Sequence, residues 1–390
     1  MAVRWLESAA LQTLFEALQQ RGYRVVGPTL RDGAIVYDEL EGVDALPVGW
    51  TEEHDAGHYR VVRRDDAARF GYTVGPHAWK RYLHPSTLRL WRAERDADGG
   101  FSVDGARGEV PRYAFLGVRP CDLAAIGIQD RVFVRGDHVD RDYQARREAS
   151  FVVAVHCTEP SGTCFCASMG TGPSAEGGYD LALTELVGGA VGPEPSYLLE
   201  VGSEHGADVA EALGVRVASA DEREAGARVR ASAAQRMGRA LDTRGLAEAL
   251  ERSLTHPRWD EVAERCLACG NCTLACPTCF CTSVDDVSDL SGAVSERVRR
   301  WDSCFTLDLS YIHGGPVRPS LSARYRQWLT HKLATWQAQF GCSGCVGCGR
   351  CIAWCPAAID MTEEARAIAE GAPAPERARR QEGRDAAAYR

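Results

Sequence analysis

The sequence predicts a multi-domain chain of mixed α+β class, with an α/β domain over residues 1–234, a helical cysteine-rich domain over 235–362 and a disordered tail over 363–390. Three observations carry this expectation. Two buried apolar runs flank a helical stretch between residues 113 and 155, the pattern of a βαβ unit. Residues 219–255 are rich in Ala, Arg and Glu and contain no Pro, which suits a helical connector. Most of the 16 cysteines crowd into the part that follows.

Length and composition set the outer bounds. A chain of 390 residues with 45% hydrophobic and 25% charged residues can bury two or three cores. The 45 basic and 54 acidic side chains leave a net charge of -9 with no basic block, so nucleic acid is not an expected partner. Glu7 and Glu16 interrupt the first apolar stretch, so neither a signal peptide nor a membrane span is expected and the cytoplasm is the expected location.

In the N-terminal domain, Leu6, Ala10, Leu14 and Leu18 share one helical face, predicting an amphipathic helix over 5–21 that stops at Gly22. Short β-rich runs at Tyr23–Val26, Ala34–Tyr37 and Tyr59–Val62 suggest a small sheet. AFLGV from Ala114 and FVVAV from Phe151 read as buried strands around helices at Pro120–Phe133 and Asp142–Arg147. Strands at Asp180–Thr184 and Tyr197–Val201 follow, the second running into a helix that ends near Leu213. From Ala365 onward apolar content is low and Gly371, Pro373 and Pro375 break any helix, which predicts the tail.

The cysteine motifs carry the chemistry. Cys266, Cys269, Cys272 and Cys276 followed by Pro277 form C-x2-C-x2-C-x3-C-P, and Cys345, Cys348, Cys351 and Cys355 followed by Pro356 repeat it. Three thiolates at this spacing wrap one 4Fe-4S cube, and in two-cluster proteins the fourth ligates the other cluster. The expected sets are therefore Cys266, Cys269, Cys272 and Cys355 for one cluster, and Cys345, Cys348, Cys351 and Cys276 for the second. Structural zinc also uses Cys-x2-Cys pairs, but it needs neither the third Cys nor the Cys-Pro in both copies. Cys342 falls outside the register, and Cys279, Cys281 and Cys304 read as packing around the clusters.

The 68 residues between Cys276 and Cys345 are too many for a compact bacterial ferredoxin, and SARYRQWLTHKLATWQAQF at 322–340 reads as a helix entering the second motif. This resembles the α-helical ferredoxin domain of succinate dehydrogenase iron-sulfur subunits.

Four further cysteines lie in the α/β domain. Cys121 opens a helix after the first buried strand and Cys157 follows the second, with Cys164 and Cys166 in the next loop. Parallel strands would bring all four to one carboxyl edge, where open α/β sheets bind ligands. A third iron-sulfur cluster there and ordinary buried thiols are both open readings, since Cys-x-Cys is an unusual cluster spacing. Gly170, Gly172 and Ala175 match G-x-G-x-x-A, but they follow a loop and enclose Pro173, which argues against a dinucleotide fingerprint.

FGYTVGPHAWKRYL (70–83), GVRPCDLAAI (117–126), GTCFCASMGTGP (162–173), CLACGNCTLACPTCFC (266–281), RWDSCF (300–305) and GCVGCGRCIAWCP (344–356) together resemble the β subunit of cytoplasmic NAD(P)-linked nickel-iron hydrogenases, or sulfhydrogenases. The A subunit of anaerobic sulfite reductase is similar in the same motifs. The resemblance implies two 4Fe-4S clusters, a neighbouring flavin subunit that handles NAD(P), and hydrogenase small and large subunits as partners. It implies a non-catalytic electron-transfer subunit of an oxidoreductase, because the paired cysteine motifs of a nickel-iron catalytic subunit are absent. A redox sensor or structural module is the rival of another class, although a sensor needs only one cluster. A stand-alone enzyme with Cys121 as nucleophile lacks a general base in the RPCDL context.

Overall fold

Strands whose two faces are both apolar form the centre of a seven-stranded sheet in the computed structural model, which describes residues 2–105, 108–188, 192 and 194–371. The first half runs through β1 (Arg4–Glu7), α1 (Ala10–Gln20), β2 (Arg24–Arg31), β3 (Ala34–Glu39), β4 (Trp50–Asp55) and β5 (His58–Arg63). It continues with α2 (Lys80–Leu83), β6 (Thr87–Arg95), β7 (Phe101–Asp104), β8 (Tyr113–Val118), α3 (Pro120–Phe133), α4 (Arg141–Glu148) and β9 (Phe151–Val155). After these come β10 (Leu181–Leu186), β11 (Ser196–Val201), α5 (Glu204–Ala212) and α6 (Ala220–Gln235).

The main sheet has the order β1-β11-β10-β9-β8-β2-β3, with β2, β8, β9 and β10 parallel and antiparallel strands at both edges. Period-two alternation splits each central strand between two cores. Phe151, Val153 and Val155 of β9 face α1 and α5, whereas Val152 and Ala154 face α3 and the loop around Trp79. The expected βαβ unit is present as β8-α3-α4-β9.

Two N-terminal expectations change. The helix predicted over 5–21 begins only at Ala10, because Arg4–Glu7 pairs with Ser196–Leu199 of β11 and buries Leu6 as an edge strand. Here strand pairing overrides a helical pattern that Leu6 and Ala10 satisfy by spacing alone. The runs expected to form a small sheet divide: β2 and β3 join the main sheet, while β5 pairs with β4 in its own hairpin.

The second half contains α7 (Leu246–Arg252), α8 (Arg258–Arg265), α9 (Asn271–Leu274), β12 (Thr282–Ser288), β13 (Val294–Trp301) and α10 (Leu321–Thr330). A π-helical turn at His331–Thr335 joins α10 to α11 (Trp336–Phe340), and α12 (Arg350–Ala353) and α13 (Met361–Glu370) follow. Its core gathers Trp259, Val262, Phe305, Tyr325, Trp328, Leu329, Leu333 and Ile368.

This half is not wholly helical. β12 and β13 form a hairpin whose inner strand pairs with β6, giving a sheet β12-β13-β6-β7 that joins the two halves. Part of the expected tail is helical instead. Residues 361–370 are α13, capped by Asp360, with Met361, Ala365 and Ile368 buried. Three apolar residues at helical spacing suffice when a core is waiting for them. The remainder of the expected tail, 372–390, lies outside the described residues. No helix among the described residues is long and apolar enough to cross a membrane.

The deepest contact between the halves is a bidentate ion pair. Arg350 Nη1 and Nη2 each donate to an Asp122 carboxylate oxygen at 2.8 Å, with both side chains fully enclosed. Arg350 Nε donates to the Gly75 carbonyl and the Tyr37 hydroxyl to Asp122 Oδ2, so the pair is well satisfied. Asp122→Asn leaves a buried guanidinium without its counter-charge and is expected to cost about 3–5 kcal/mol, read as a lower apparent melting temperature. The double change Asp122→Leu with Arg350→Met should cost less than either single change.

The interface around the hairpin responds to acid through His84. Burial, followed by the Arg299 guanidinium and the Lys80 ammonium, lowers its pKa to about 3. The unfolded chain takes up this proton near pH 6.5, so stability is retained above that pH and lost as pH falls from 6.5 towards 3. At pH 5.5 the loss is on the order of 1 kcal/mol. His84→Gln should reduce the difference in unfolding free energy between pH 7.5 and 5.5 by about that amount.

Candidate metal centre

Both cysteine motifs adopt the same local conformation. Ala268 and Gly347 occupy equivalent places with φ of 52° and 63°, and Gly270 and Gly349 with φ of 75° and 76°. A single helical turn follows each, α9 in the first motif and α12 in the second. Left-handed residues in such turns aim neighbouring N–H groups to one side, a nest that suits an anion. At Gly347 and Gly349 a side chain would also strike the backbone of Phe165 and Thr163, at 2.7 and 2.4 Å. Glycine there lets the second motif press onto the loop that carries Cys164 and Cys166. Phe165 N–H donates to the Gly347 carbonyl, and the Thr171 hydroxyl donates to the Val346 carbonyl.

The structure brings the eight motif cysteines into two rings. One cavity is lined by Cys276, Cys345, Cys348 and Cys351, with Phe165, Val346 and Trp328 among its walls. The other is lined by Cys266, Cys269, Cys272 and Cys355, with Phe305, Tyr325 and Ile359. Trp328 and Cys351 border both cavities, so the rings are neighbours. The first motif's last cysteine sits in the second motif's ring, and the reverse also holds. The Gly347 N–H reaches Cys345 Sγ and the Ile359 N–H reaches Cys355 Sγ, each at 3.4 Å.

Thiols are the principal metal-binding donors lining both cavities. Among the described residues, no group of three or more Cys, His, Asp and Glu side chains is drawn together as a single metal ion requires. Zinc, whose ligands lie about 2.0–2.3 Å from one point, does not suit the arrangement, whereas a cube of iron and sulfide fills space between its thiolates. Burial pushes the Cys345 thiol up to about 12 and Cys348 to about 11. Such thiols give up their protons when iron binds. Cys276 is the exception: a hydrogen bond with Cys279, and then Lys332, Thr278 and Lys80, hold it well below the usual range despite burial.

The cations around Cys276 have no carboxylate partner among the described residues. Lys332 Nζ donates to Thr278 Oγ1 at 2.5 Å and to the Gly344 carbonyl at 3.1 Å. Lys80 Nζ donates to the Cys279 carbonyl at 3.1 Å and sits 4.1 Å from the Trp301 ring centroid. Both lysines are buried. Buried charge without counter-charge is costly, and an anionic iron-sulfur cluster bound through Cys276 would supply that counter-charge. The donor set, the nests and the cations thus all fit such a group.

The four cysteines of the α/β domain are all buried. Cys121 opens α3 after β8 and Cys157 follows β9, so both stand at the carboxyl edge of the parallel strands. Cys166 lies close enough to Cys164, Cys157 and Cys348 for their charges to act on it, and Cys121 is under the influence of Cys166 and Cys348. Desolvation raises all four thiols, Cys164 to about 11. Arg119, fully buried, donates to the Phe70, Tyr72, Thr73 and His156 carbonyls, and its charge reaches Cys157.

Of the remaining cysteines, Cys279 contacts Cys276, and Cys281 and Cys304 lie near each other on the side of Lys332. Cys342 is half-buried near Arg131 and lines neither cavity. Sequence reasoning missed Lys80, Lys332, Asp122 and Arg350. Three of these lie inside the motif strings quoted above, but Lys332 looks like any helical lysine.

A model of the 4Fe-4S dicluster domain matches residues 265–359. The chain is 30% identical over 371 residues to Sulfhydrogenase 2 subunit beta of Pyrococcus furiosus, an alignment covering 94% of this chain and 98% of that one. The chain belongs to the sulfhydrogenase β-subunit family. As a family member with a dicluster domain it is an iron-sulfur electron-transfer protein, and the domain match spans both cysteine motifs together with the β12-β13 hairpin between them.

Proposed function

We propose that this chain relays single electrons within a soluble, NAD(P)-linked nickel-iron hydrogenase, between a flavin subunit and the hydrogenase small and large subunits. The observation that supports the reading is a pair of neighbouring thiol-lined cavities, one bordered by Cys276, Cys345, Cys348 and Cys351 and the other by Cys266, Cys269, Cys272, Cys351 and Cys355. In this reading Cys266, Cys269, Cys272 and Cys355 hold one 4Fe-4S cluster, and Cys345, Cys348, Cys351 and Cys276 hold the second, in an α-helical ferredoxin-type domain over 235–362. Each cluster supplies a one-electron redox centre. The protein's part is to hold the rings adjacent, to keep water from the second and to open the first outward. Cys269 is exposed and its neighbour Leu267 is 65% exposed, so this rim is the place for a redox partner to dock. Kinship with a sulfhydrogenase β subunit over nearly the full chain supports hydrogenase partners.

A third cluster on Cys121, Cys157, Cys164 and Cys166 belongs to the same proposal. It is supported by the gathering of four buried thiols at one sheet edge and by the buried Arg119, which donates to carbonyls and whose charge reaches Cys157.

Cys276→Ser should perturb the paramagnetic signal of the cluster held by Cys345, Cys348 and Cys351 and spare the one held by Cys266. Loss of the Cys266 signal instead would refute the crossed assignment. Iron analysis of the anaerobically reconstituted full chain should give about twelve iron atoms, falling to about eight in Cys121→Ser. A value of about eight in both would leave the N-terminal cysteines as plain buried thiols.

A further inference from the structure

We propose that Lys332, assisted by Lys80, is the built-in counter-ion of the cluster held through Cys276, and that its charge raises that cluster's reduction potential. The inference rests on the two-ring reading above and assigns a role to residues that bind no iron.

Lys332 Nζ donates to two acceptors, Thr278 Oγ1 and the Gly344 carbonyl, and lies near the Cys279 sulfur. The neighbouring thiols of Cys276, Cys279 and Cys345 favour its charged form despite burial. The Trp336 ring lies below it, 4.7 Å from Nζ to the centroid. Thr278 connects this charge to the ring. Its hydroxyl accepts from Lys332 and has a single proton to give, either to the Gly344 carbonyl at 2.7 Å or to Cys276 Sγ at 3.2 Å. Hydrogen bonds and positive charge at a ligand sulfur both favour the reduced cluster, which carries one more negative charge.

The position of Lys332 in the helix is itself unusual. It lies in the π-helical turn His331–Thr335 that interrupts the run from Leu321 to Phe340. Such turns are rare and occur frequently at functional sites. Here the turn carries an ammonium, whereas Trp328 one turn earlier lines both rings.

The other cations differ from Lys332 in a decisive way. Arg350 also lies beside this ring, next to Cys351 in sequence, but Asp122 cancels its charge through two 2.8 Å bonds. Lys332 and Lys80 form no ion pair with a carboxylate among the described residues. The lining of the ring of Cys266, Cys269, Cys272 and Cys355 holds no charged side chain, and Arg324 acts on Cys266 from outside it while bonded to the Phe305 carbonyl. Among the described residues, a fully buried counter-charge is therefore found beside one of the two rings, since Arg324 is only partly buried.

The test is an electron paramagnetic resonance redox titration of the full-length reconstituted chain, in which the second cluster serves as the internal control. Cys345→Ser identifies the signal of the cluster in question, because Cys345 belongs to that ring whether or not the fourth ligands cross. Lys332→Gln keeps a hydrogen-bond donor and removes the charge. It should lower the equilibrium constant for reducing that cluster at least tenfold, about 59 mV for a one-electron couple, and leave the other cluster unmoved. With iron content intact, unchanged potentials or an equal shift in both clusters would overturn the proposal. If Lys332→Gln fails to hold iron, Lys80→Met is titrated under the same two criteria. Failure of the crossed ligand assignment appears separately, as Cys276→Ser disturbing the Cys266 signal.

Discussion

The Asp122–Arg350 ion pair is the constraint on which the arrangement of the protein depends. Asp122 follows Cys121 at the start of α3, and Arg350 stands between Cys348 and Cys351. One enclosed salt bridge therefore sets the N-terminal thiols against the second motif. Its geometry leaves little freedom, because each oxygen and each terminal nitrogen of the fork is used. Gly347 and Gly349 allow the loop bearing Cys164 and Cys166 to pack against the same motif, so the pair and the glycines act on one interface.

A second theme is charge left buried for a later partner. Arg119, Lys80 and Lys332 are surrounded by carbonyls, a hydroxyl and aromatic faces, and none forms an ion pair with a carboxylate among the described residues. In a protein whose function needed only stability, apolar replacements of similar volume would serve as well or better. Beside rings of thiols the same cations have a purpose, since thiolate clusters bring negative charge into a medium of low dielectric. Folding and cluster binding are in this way parts of one equilibrium.

The hairpin β12-β13 shows how the halves share structure. It is inserted between the two motifs in sequence, yet it pairs with β6 of the first half. Arg299 of β13 bonds Asp140 at the start of α4, and the Trp301 indole N–H donates to the His84 carbonyl. The segment from Cys276 to Cys345 thus does more than separate two motifs: it ties the iron-binding half to the α/β half by main-chain pairing.

The sequence by itself determined the local and the chemical. The βαβ unit was legible because β8 and β9 are apolar on both faces, and the cysteine motifs because their spacing encodes how three thiols wrap one cube. The placement of Cys121 and Cys157 at one sheet edge followed from parallel strand geometry. The tertiary structure alone decided that Arg4–Glu7 is a strand, since its partner lies almost two hundred residues away. It also decided that 361–370 is a helix, because a short amphipathic segment folds only where a core receives it. Lys332, Lys80 and the Asp122–Arg350 pair were invisible for the same reason. A charged side chain in a sequence reads as a solvated one until the fold shows which thiols, carbonyls or opposite charges enclose it.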